Sequence, residues 1–273
     1  MGKKDETAQA VTVKKSTAVG AVLDYGQYAG DGLQGIGHDE MVVPFVSVLQ
    51  GLSPEVEEVA GAKPGMLFNK GTQELIDGED GFLFLPVVRQ VAYVEWIPRK
   101  QGGGLAGRHE VESPAVLKAK AECAARGEDP RFSVLWTGEP DKSNELRQTY
   151  YIYGYTLAET EDGDYDVTGQ ALLSFTGTKI KVYKNWITPI NLLKGRPPLF
   201  AHPTRVSTFK DGNSKGDFYN FKLRPAKGSL VDSLLPPDSP LLPIAHKFAQ
   251  EITGGKVKMG DEGTAPQGEE IPF

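Results

Sequence analysis

Cysteine and histidine are scarce in this chain of 273 residues, and their scarcity limits the disulfides and metal sites that it can form. The single cysteine, Cys123, excludes an internal disulfide and any zinc site built from several cysteines. The four histidines, His38, His109, His202 and His246, stand far apart in the sequence, and none forms a pair at metal-ligand spacing. We therefore expect neither a zinc hydrolase nor a bound cofactor.

Long apolar runs are also missing. No run approaches the ~20 residues that a membrane-spanning helix needs. The first residues, Met1-Gly2-Lys3-Lys4, lack the apolar core of a secretory signal. We expect a cytoplasmic protein without a membrane partner.

The chain has no excess of positive charge. The sequence contains 30 Lys and Arg and 36 Asp and Glu, which gives a formal net charge of −6. This balance argues against a protein that coats duplex DNA by charge alone. It leaves single-strand binding open, because bases that stack on aromatic rings supply binding energy without a net positive charge.

A glycine-rich segment at residues 102–107 matches the dinucleotide-binding pattern G-x-G-x-x-G. That motif requires a helix that begins within it, whereas the nearest predicted helix begins at Pro114. We therefore interpret the glycines as a flexible loop between strands. Its flanking cations Arg99, Lys100 and Arg108 suit a loop that closes over a phosphate backbone.

No catalytic constellation is found in the sequence. There is no Walker-type phosphate loop, and Asp162, Asp164 and Asp166 share a single turn. Two-metal nuclease sites instead need acids from several elements. We predict a protein that is not an enzyme.

The hydrophobic pattern predicts a mainly β or α+β fold with five to eight strands and two or three helices. Strands are expected at 41–50, 82–98, 132–136, 147–157, 165–175, 204–209 and 218–224, with a shorter one near residue 69. Helices are expected at 114–126, at 178–193 with an end or kink at Pro189, and at 240–252. An OB-like β-barrel with long loops fits this count. Other α+β sheet folds fit it almost as well.

Composition divides the chain into three segments. Residues 1–37 are expected to form a flexible N-terminal segment, and 38–252 the OB-like nucleic-acid-binding core. Residues 253–273 are expected to be a disordered acidic tail, too polar to bury the apolar area that folding needs.

Aromatic residues alternate with basic residues in several predicted elements, as in single-strand-binding grooves. Tyr151, Tyr153 and Tyr155 share one face of a strand, where they form either a stacking platform or part of the core. The full set of candidate DNA-binding residues is Arg89, Tyr93, Trp96, Arg99, Lys100, Arg108, Tyr151, Tyr153, Tyr155, Lys179, Lys181, Lys184, Trp186 and Lys222.

The last residues, Glu269-Glu270-Ile271-Pro272-Phe273, place an apolar tip after two acids. The ring of Phe273 suits an apolar pocket on a partner, and the acids suit basic residues around it. This tip resembles the C-terminus of bacterial single-stranded DNA-binding proteins. The resemblance implies that Glu269, Glu270, Ile271, Pro272 and Phe273 bind replication and recombination proteins.

The core carries a resemblance of its own. The segments 43–56, 61–69 and 93–99, together with the closing Ile271-Pro272-Phe273, are similar to a family of tailed-bacteriophage and prophage proteins. Many of its members have no assigned role. The tip, and an analogy with the T7-type phage protein, imply single-stranded DNA binding in the host cytoplasm.

We therefore predict a bacteriophage single-stranded DNA-binding protein that protects DNA and recruits replication and recombination proteins through its tip. A homo-oligomer is compatible with this prediction. The alternative is an adaptor that does not bind DNA but mimics the host tip to occupy docking pockets on host proteins.

Overall fold

The computed structural model describes residues 42–214 and 216–260, except for the side chain of Arg99. The predicted flexible segment 1–37 and the partner-binding residues Glu269–Phe273 lie outside the described residues. The described chain is mainly β with a few helices, which confirms the α+β expectation.

Twelve strands and four α-helices make up the described chain. The strands are β1 Val42–Val43, β2 Val46–Val48, β3 Leu67–Asn69, β4 Glu74–Ile76, β5 Phe82–Trp96, β6 Leu105–His109, β7 Leu135–Trp136, β8 Glu145–Glu159, β9 Tyr165–Thr176, β10 Thr204–Asn213, β11 Gly216–Pro225 and β12 Lys258–Met259. The helices are α1 Pro54–Glu58, α2 Pro114–Ala125, α3 Lys179–Leu192 and α4 Leu241–Thr253.

The largest sheet is built around β5 and β8, two antiparallel strands of 15 residues each. They pair from Leu83 opposite Leu157 to Trp96 opposite Glu145, with a register shift between Pro86 and Val88. Pro86 cannot donate a ladder hydrogen bond, so an irregularity is expected there. At one end of this pair, β10 pairs with β5 and β11 pairs with β10, while β9 pairs with β8. At the other end, β6 pairs with β5 and β7 pairs with β8.

Each face of this sheet carries a buried core, because side chains of opposite parity pack on different helices. On one face, Leu85, Tyr151 and Leu172 pack with Phe248 of α4, a cluster that we call the α4 core. On the other face, apolar sheet residues pack with α3, and we call this cluster the α3 core. Its members include Phe84, Ile152, Phe175, Tyr183 and Trp186.

A third and smaller cluster, the α2 core, lies at the β6–β7 end of the sheet. It joins Tyr93, Leu135 and Leu146 of the sheet to Val116, Ala119 and Cys123 of α2. Cys123 is fully buried, as expected of a packed cysteine, and burial raises the pKa of its thiol.

The OB-like barrel is not confirmed, because the ladders of the described strands do not close. The small sheet β2-β3-β4 contacts both edges of the large sheet without joining it in a ladder. Phe45, just before β2, forms a single bridge with Leu172 of β9. On the other side, Nε2 of Gln50 donates to the backbone carbonyl of Tyr219 in β11 at 2.8 Å. Oε1 of the same side chain accepts from the backbone N–H of Tyr219 at 2.9 Å.

Several predicted elements differ from the structure in their limits. The strand expected at 41–50 is broken at Pro44. The strand expected at 132–136 is reduced to Leu135–Trp136, since pairing with β8 begins only there. A short helix, α1, was not predicted.

Helix α3 continues past Pro189 to Leu192, where an end or kink was expected. Ile190, one residue further on, is anchored in the α3 core, and this packing favours the helical backbone. No helix in residues 42–214 and 216–260 combines the length and the apolar character needed to cross a bilayer.

Candidate nucleic-acid interface

The predicted tyrosine platform lies inside the α4 core. Tyr151, Tyr153 and Tyr155 do share one face of β8, but only 0%, 3% and 9% of their surfaces are exposed. The Tyr151 ring meets Phe45 edge-on, and the Tyr155 ring lies 4.8 Å from that of Phe248 in α4. Burial raises the pKa of Tyr155 to about 12. The structure therefore favours the core alternative, because a base cannot reach these rings in the folded protein.

Two other predicted rings are also core residues. Tyr93 is buried in the α2 core, with the ammonium of Lys120 4.9 Å from its ring centroid. Trp186 is buried in the α3 core. Of the aromatic residues predicted to stack on bases, only Trp96 is half-buried.

Trp96 belongs to a patch of tryptophans and arginines at the β6–β7 end of the sheet. Cross-strand partners point to the same face, and Glu145 lies between Trp96 and Trp136. In the next row on that face, Val94 lies between Arg108 and Arg147. We call Trp96, Trp136, Arg108 and Arg147 the tryptophan patch.

The charges of the tryptophan patch are partly neutralised. Arg147 binds the Glu145 carboxylate through Nε at 2.7 Å and through Nη2 at 2.5 Å. Arg108 is exposed, and so is Lys100 in a 3-10 turn between β5 and β6. The predicted Arg99 lies in the same turn.

Helix α3 separates its predicted lysines. Lys181 and Lys184 are exposed on its outer side, whereas Lys179 turns inward over the ring of Phe221. Nearby, the exposed Arg89 donates from Nε to the Tyr183 hydroxyl at 2.6 Å. Its guanidinium carbon lies 5.3 Å from the ring centroid of Tyr150.

Lys222 lies on the two-stranded ribbon of β10 and β11, where it shares a face with other cations and rings. Arg205 is directly opposite Arg224, Ser207 is opposite Lys222, and Phe209 is opposite the buried Asn220. Phe218 continues this face toward the turn. We call Arg205, Phe209, Phe218, Lys222 and Arg224 the ribbon face.

The two sides of the ribbon differ in chemistry. Val206 and Phe221 point the other way and are buried in the α3 core. Phe209, on the ribbon face, keeps 36% of its surface exposed. The ribbon therefore has one side fixed by packing and one side with accessible rings and cations.

The cations of the ribbon face are not neutralised by the described residues. Like charges directly opposite each other destabilise an antiparallel pair, and Arg205 faces Arg224 in this way. In residues 42–214 and 216–260, no carboxylate lies within ion-pair distance of Arg205, Lys222 or Arg224. The face also carries Asp211, which accepts a long hydrogen bond from Asn220. A surface that keeps such cations close together favours an anionic ligand.

The sequence prediction missed Arg205, Phe209, Trp136 and Arg147. The sequence did carry a signal for the first two. Arg205 and Phe209 are four residues apart in the predicted strand 204–209, so their side chains lie on the same face. Pairing that strand with 218–224 across the predicted turn places Arg205 opposite Arg224. Trp136 and Arg147 become part of a patch only through the pairing of β7 with β8.

The predicted DNA-binding residues therefore do not line a single groove. Arg89, Lys181 and Lys184 belong to the α3 side of the sheet. The tryptophan patch and the ribbon face both belong to the α4 side, at opposite ends.

Comparison with known proteins identifies the family. Residues 13–258 match the Pam3 phage gp34-like protein family. The chain belongs to this family. The match confirms that the chain belongs to a phage protein family, and it covers the sheet, the ribbon and α3. The Ile-Pro-Phe tip of this gp34-like protein lies beyond the matched residues. No curated protein and no solved structure matches the chain.

Proposed function

We propose that this gp34-like protein binds single-stranded DNA with its ribbon face. The observation that carries the proposal is the set of three cations, Arg205, Lys222 and Arg224, that no described carboxylate pairs with. The rings of Phe209 and Phe218 accompany them on the same side of the ribbon.

This arrangement supplies the two contributions to the binding energy of a single strand, phosphate contacts and base stacking. Arg and Lys side chains track the phosphates, and each base stacked on an aromatic ring contributes ~1–3 kcal/mol. The net charge of −6 is compatible with such a site, because the cations need to be concentrated only along the path of the strand.

The tryptophan patch supplies a second contact for a longer strand. It lies on the same side of the sheet as the ribbon face, and Trp96 and Trp136 are half-buried rather than enclosed. Trp96, Arg108 and Lys100 keep their predicted roles in this proposal, with Arg147 added to them.

We also propose that the acidic residues and the Ile-Pro-Phe motif at 269–273 recruit replication or recombination proteins. Support for this role comes from the sequence, through the resemblance to bacterial single-stranded DNA-binding proteins. DNA binding by the core and partner binding by this segment are separate activities that can be removed separately.

Fluorescence polarisation of a labelled oligo-dT with the full chain tests the proposal. Affinity should fall steeply between about 50 mM and about 200 mM salt, because phosphate contacts release counterions. A duplex of equal length serves as the control and should bind more weakly. If oligo-dT does not bind at the lower salt, DNA binding is excluded and the adaptor alternative is favoured.

A further inference from the structure

One acidic residue lies among the cations and rings of the ribbon face. Asp211 is half-buried on β10, directly opposite Phe218 of β11 and two residues after Phe209 on the same side of the strand. Residues directly opposite each other in an antiparallel pair have Cβ atoms about 4.5–5.5 Å apart, so the Asp211 carboxylate lies beside the Phe218 side chain. A base that stacks on the Phe218 ring therefore has its edge near this carboxylate.

The Asp211 carboxylate does not serve as a counter-ion within the described chain. In residues 42–214 and 216–260, no Lys, Arg or His nitrogen lies within ion-pair distance of it. On the same ribbon, Lys210 pairs with Asp217 at 2.6 Å, and both side chains point to the opposite side. A carboxylate repels phosphates, so this point of the ribbon face suits a neutral base rather than the DNA backbone.

The Asp211 carboxylate is held in place and keeps acceptor capacity. Its Oδ1 accepts from the backbone N–H of Gly212 at 2.9 Å, and its Oδ2 accepts a long hydrogen bond from Nδ2 of Asn220 at 3.4 Å. Asn220 is itself fixed, because it is buried and its Oδ1 accepts from the backbone N–H of Phe221 at 2.9 Å. An ionised carboxylate accepts about four hydrogen bonds, so these two leave it able to bind two further donors.

We propose that Asp211 makes the ribbon face selective for guanine. This inference rests on the proposed single-strand binding by that face and names the base that the face prefers. Guanine presents two adjacent donors, N1–H and the 2-amino group, and a carboxylate accepts from both at once. Thymine presents one N–H between two carbonyl oxygens, which the carboxylate repels. Cytosine and adenine each present one amino group beside a ring nitrogen that accepts, so neither offers the second donor.

Polarisation titrations of the full chain with labelled oligonucleotides of equal length test this selectivity. The strands are oligo-dT, alternating dT–dG and alternating dT–dI, in which deoxyinosine differs from dG by the loss of the 2-amino group. The dT–dG strand should bind at least about tenfold more tightly than oligo-dT, and the dT–dI strand should lose part of that gain. Equal affinities for the dT–dG and dT–dI strands would overturn the proposal, because the second donor would then make no contact.

Variants of the two acids of the ribbon test the assignment to Asp211. Asp211→Asn removes the carboxylate, and Asp217→Asn, on the opposite side of the ribbon, is the matched control with the same change of charge. The preference for dT–dG over oligo-dT should disappear in Asp211→Asn and persist in Asp217→Asn. A preference that survives in Asp211→Asn would refute the role of this residue.

The same titrations separate this proposal from the function on which it rests. If oligo-dT binds and the dT–dG strand binds no more tightly, the guanine selectivity is wrong and DNA binding stands. If neither strand binds at low salt, both proposals are wrong.

Discussion

At the scale of single residues, His202 shows how burial couples stability to pH. The side chain is 1% exposed, and neither ring nitrogen has a well-formed hydrogen bond. Burial lowers the pKa of His202 from its ordinary value of 6.5, although the nearby Pro197 carbonyl opposes part of this effect. The unfolded chain therefore takes up a proton at a higher pH than the folded protein does.

The sign of this shift gives a prediction. The contribution of His202 to stability is present above about pH 6.5 and is lost as the pH falls through the lowered pKa, by at most about 1.4 kcal/mol per pH unit. Urea denaturation between pH 7.5 and pH 5 should show a shallower loss of stability for His202→Gln than for the wild type. His246→Gln, exposed on α4, is the control and should follow the wild type. Parallel curves for all three proteins would contradict this role of His202.

Trp96 provides a residue-scale prediction for the DNA site. If its ring stacks on a base, Trp96→Ala should weaken oligo-dT binding by ~1–3 kcal/mol, and DNA should quench the tryptophan fluorescence of the wild type. Trp186→Phe changes a buried tryptophan in the α3 core and should preserve both the affinity and the quenching. A folded Trp96→Ala protein with wild-type affinity would assign this ring to packing alone.

At the scale of elements, the amide of Gln50 takes the place of a backbone partner for β11. It donates to the carbonyl of Tyr219 and accepts from the N–H of the same residue, as a paired strand would. Gly65 also lies against the ribbon, because a Cβ at that position would be 2.6 Å from the Tyr219 ring. These contacts join the small sheet to the edge of the ribbon.

The Gln50 contact is expected to stabilise the fold. Gln50→Ala removes two hydrogen bonds to a half-buried backbone and should lower the free energy of unfolding by ~1–3 kcal/mol. Urea denaturation measures the change, with Gln101→Ala in an exposed turn as the control. Equal midpoints for Gln50→Ala and Gln101→Ala would show that the edge of β11 does not depend on Gln50.

The elements also show which features the sequence could predict. The alternation within β5 correctly placed Arg89 and Tyr93 on one face and Val94 and Trp96 on the other, because the period of a strand fixes side-chain parity. The alternation of side chains does not show which face of a strand is covered by other elements of the fold. Tyr151, Tyr153 and Tyr155 of β8 are buried because α4 and Phe45, distant in sequence, cover their face of the strand.

At the scale of the whole molecule, a chain of net charge −6 has its cations distributed over several surfaces. The ribbon face and α3 present comparable numbers of positive charges on opposite sides of β11. Only the ribbon face combines them with accessible rings and a like-charge pair. The proposal therefore predicts that the location of the charges, rather than their total, determines DNA affinity.

The salt dependence of oligo-dT binding tests this claim most directly. One variant replaces Arg205, Lys222 and Arg224 by Gln, and a matched variant replaces Lys181, Lys184 and Lys194, exposed on or just after α3, by Gln. Both variants lose three positive charges. The slope of log K against log salt should decrease by ~0.7 for each lost contact, about 2 in all, in the ribbon variant and stay at the wild-type value in the matched variant. Equal slopes in the two variants would contradict the ribbon face as the DNA-binding surface.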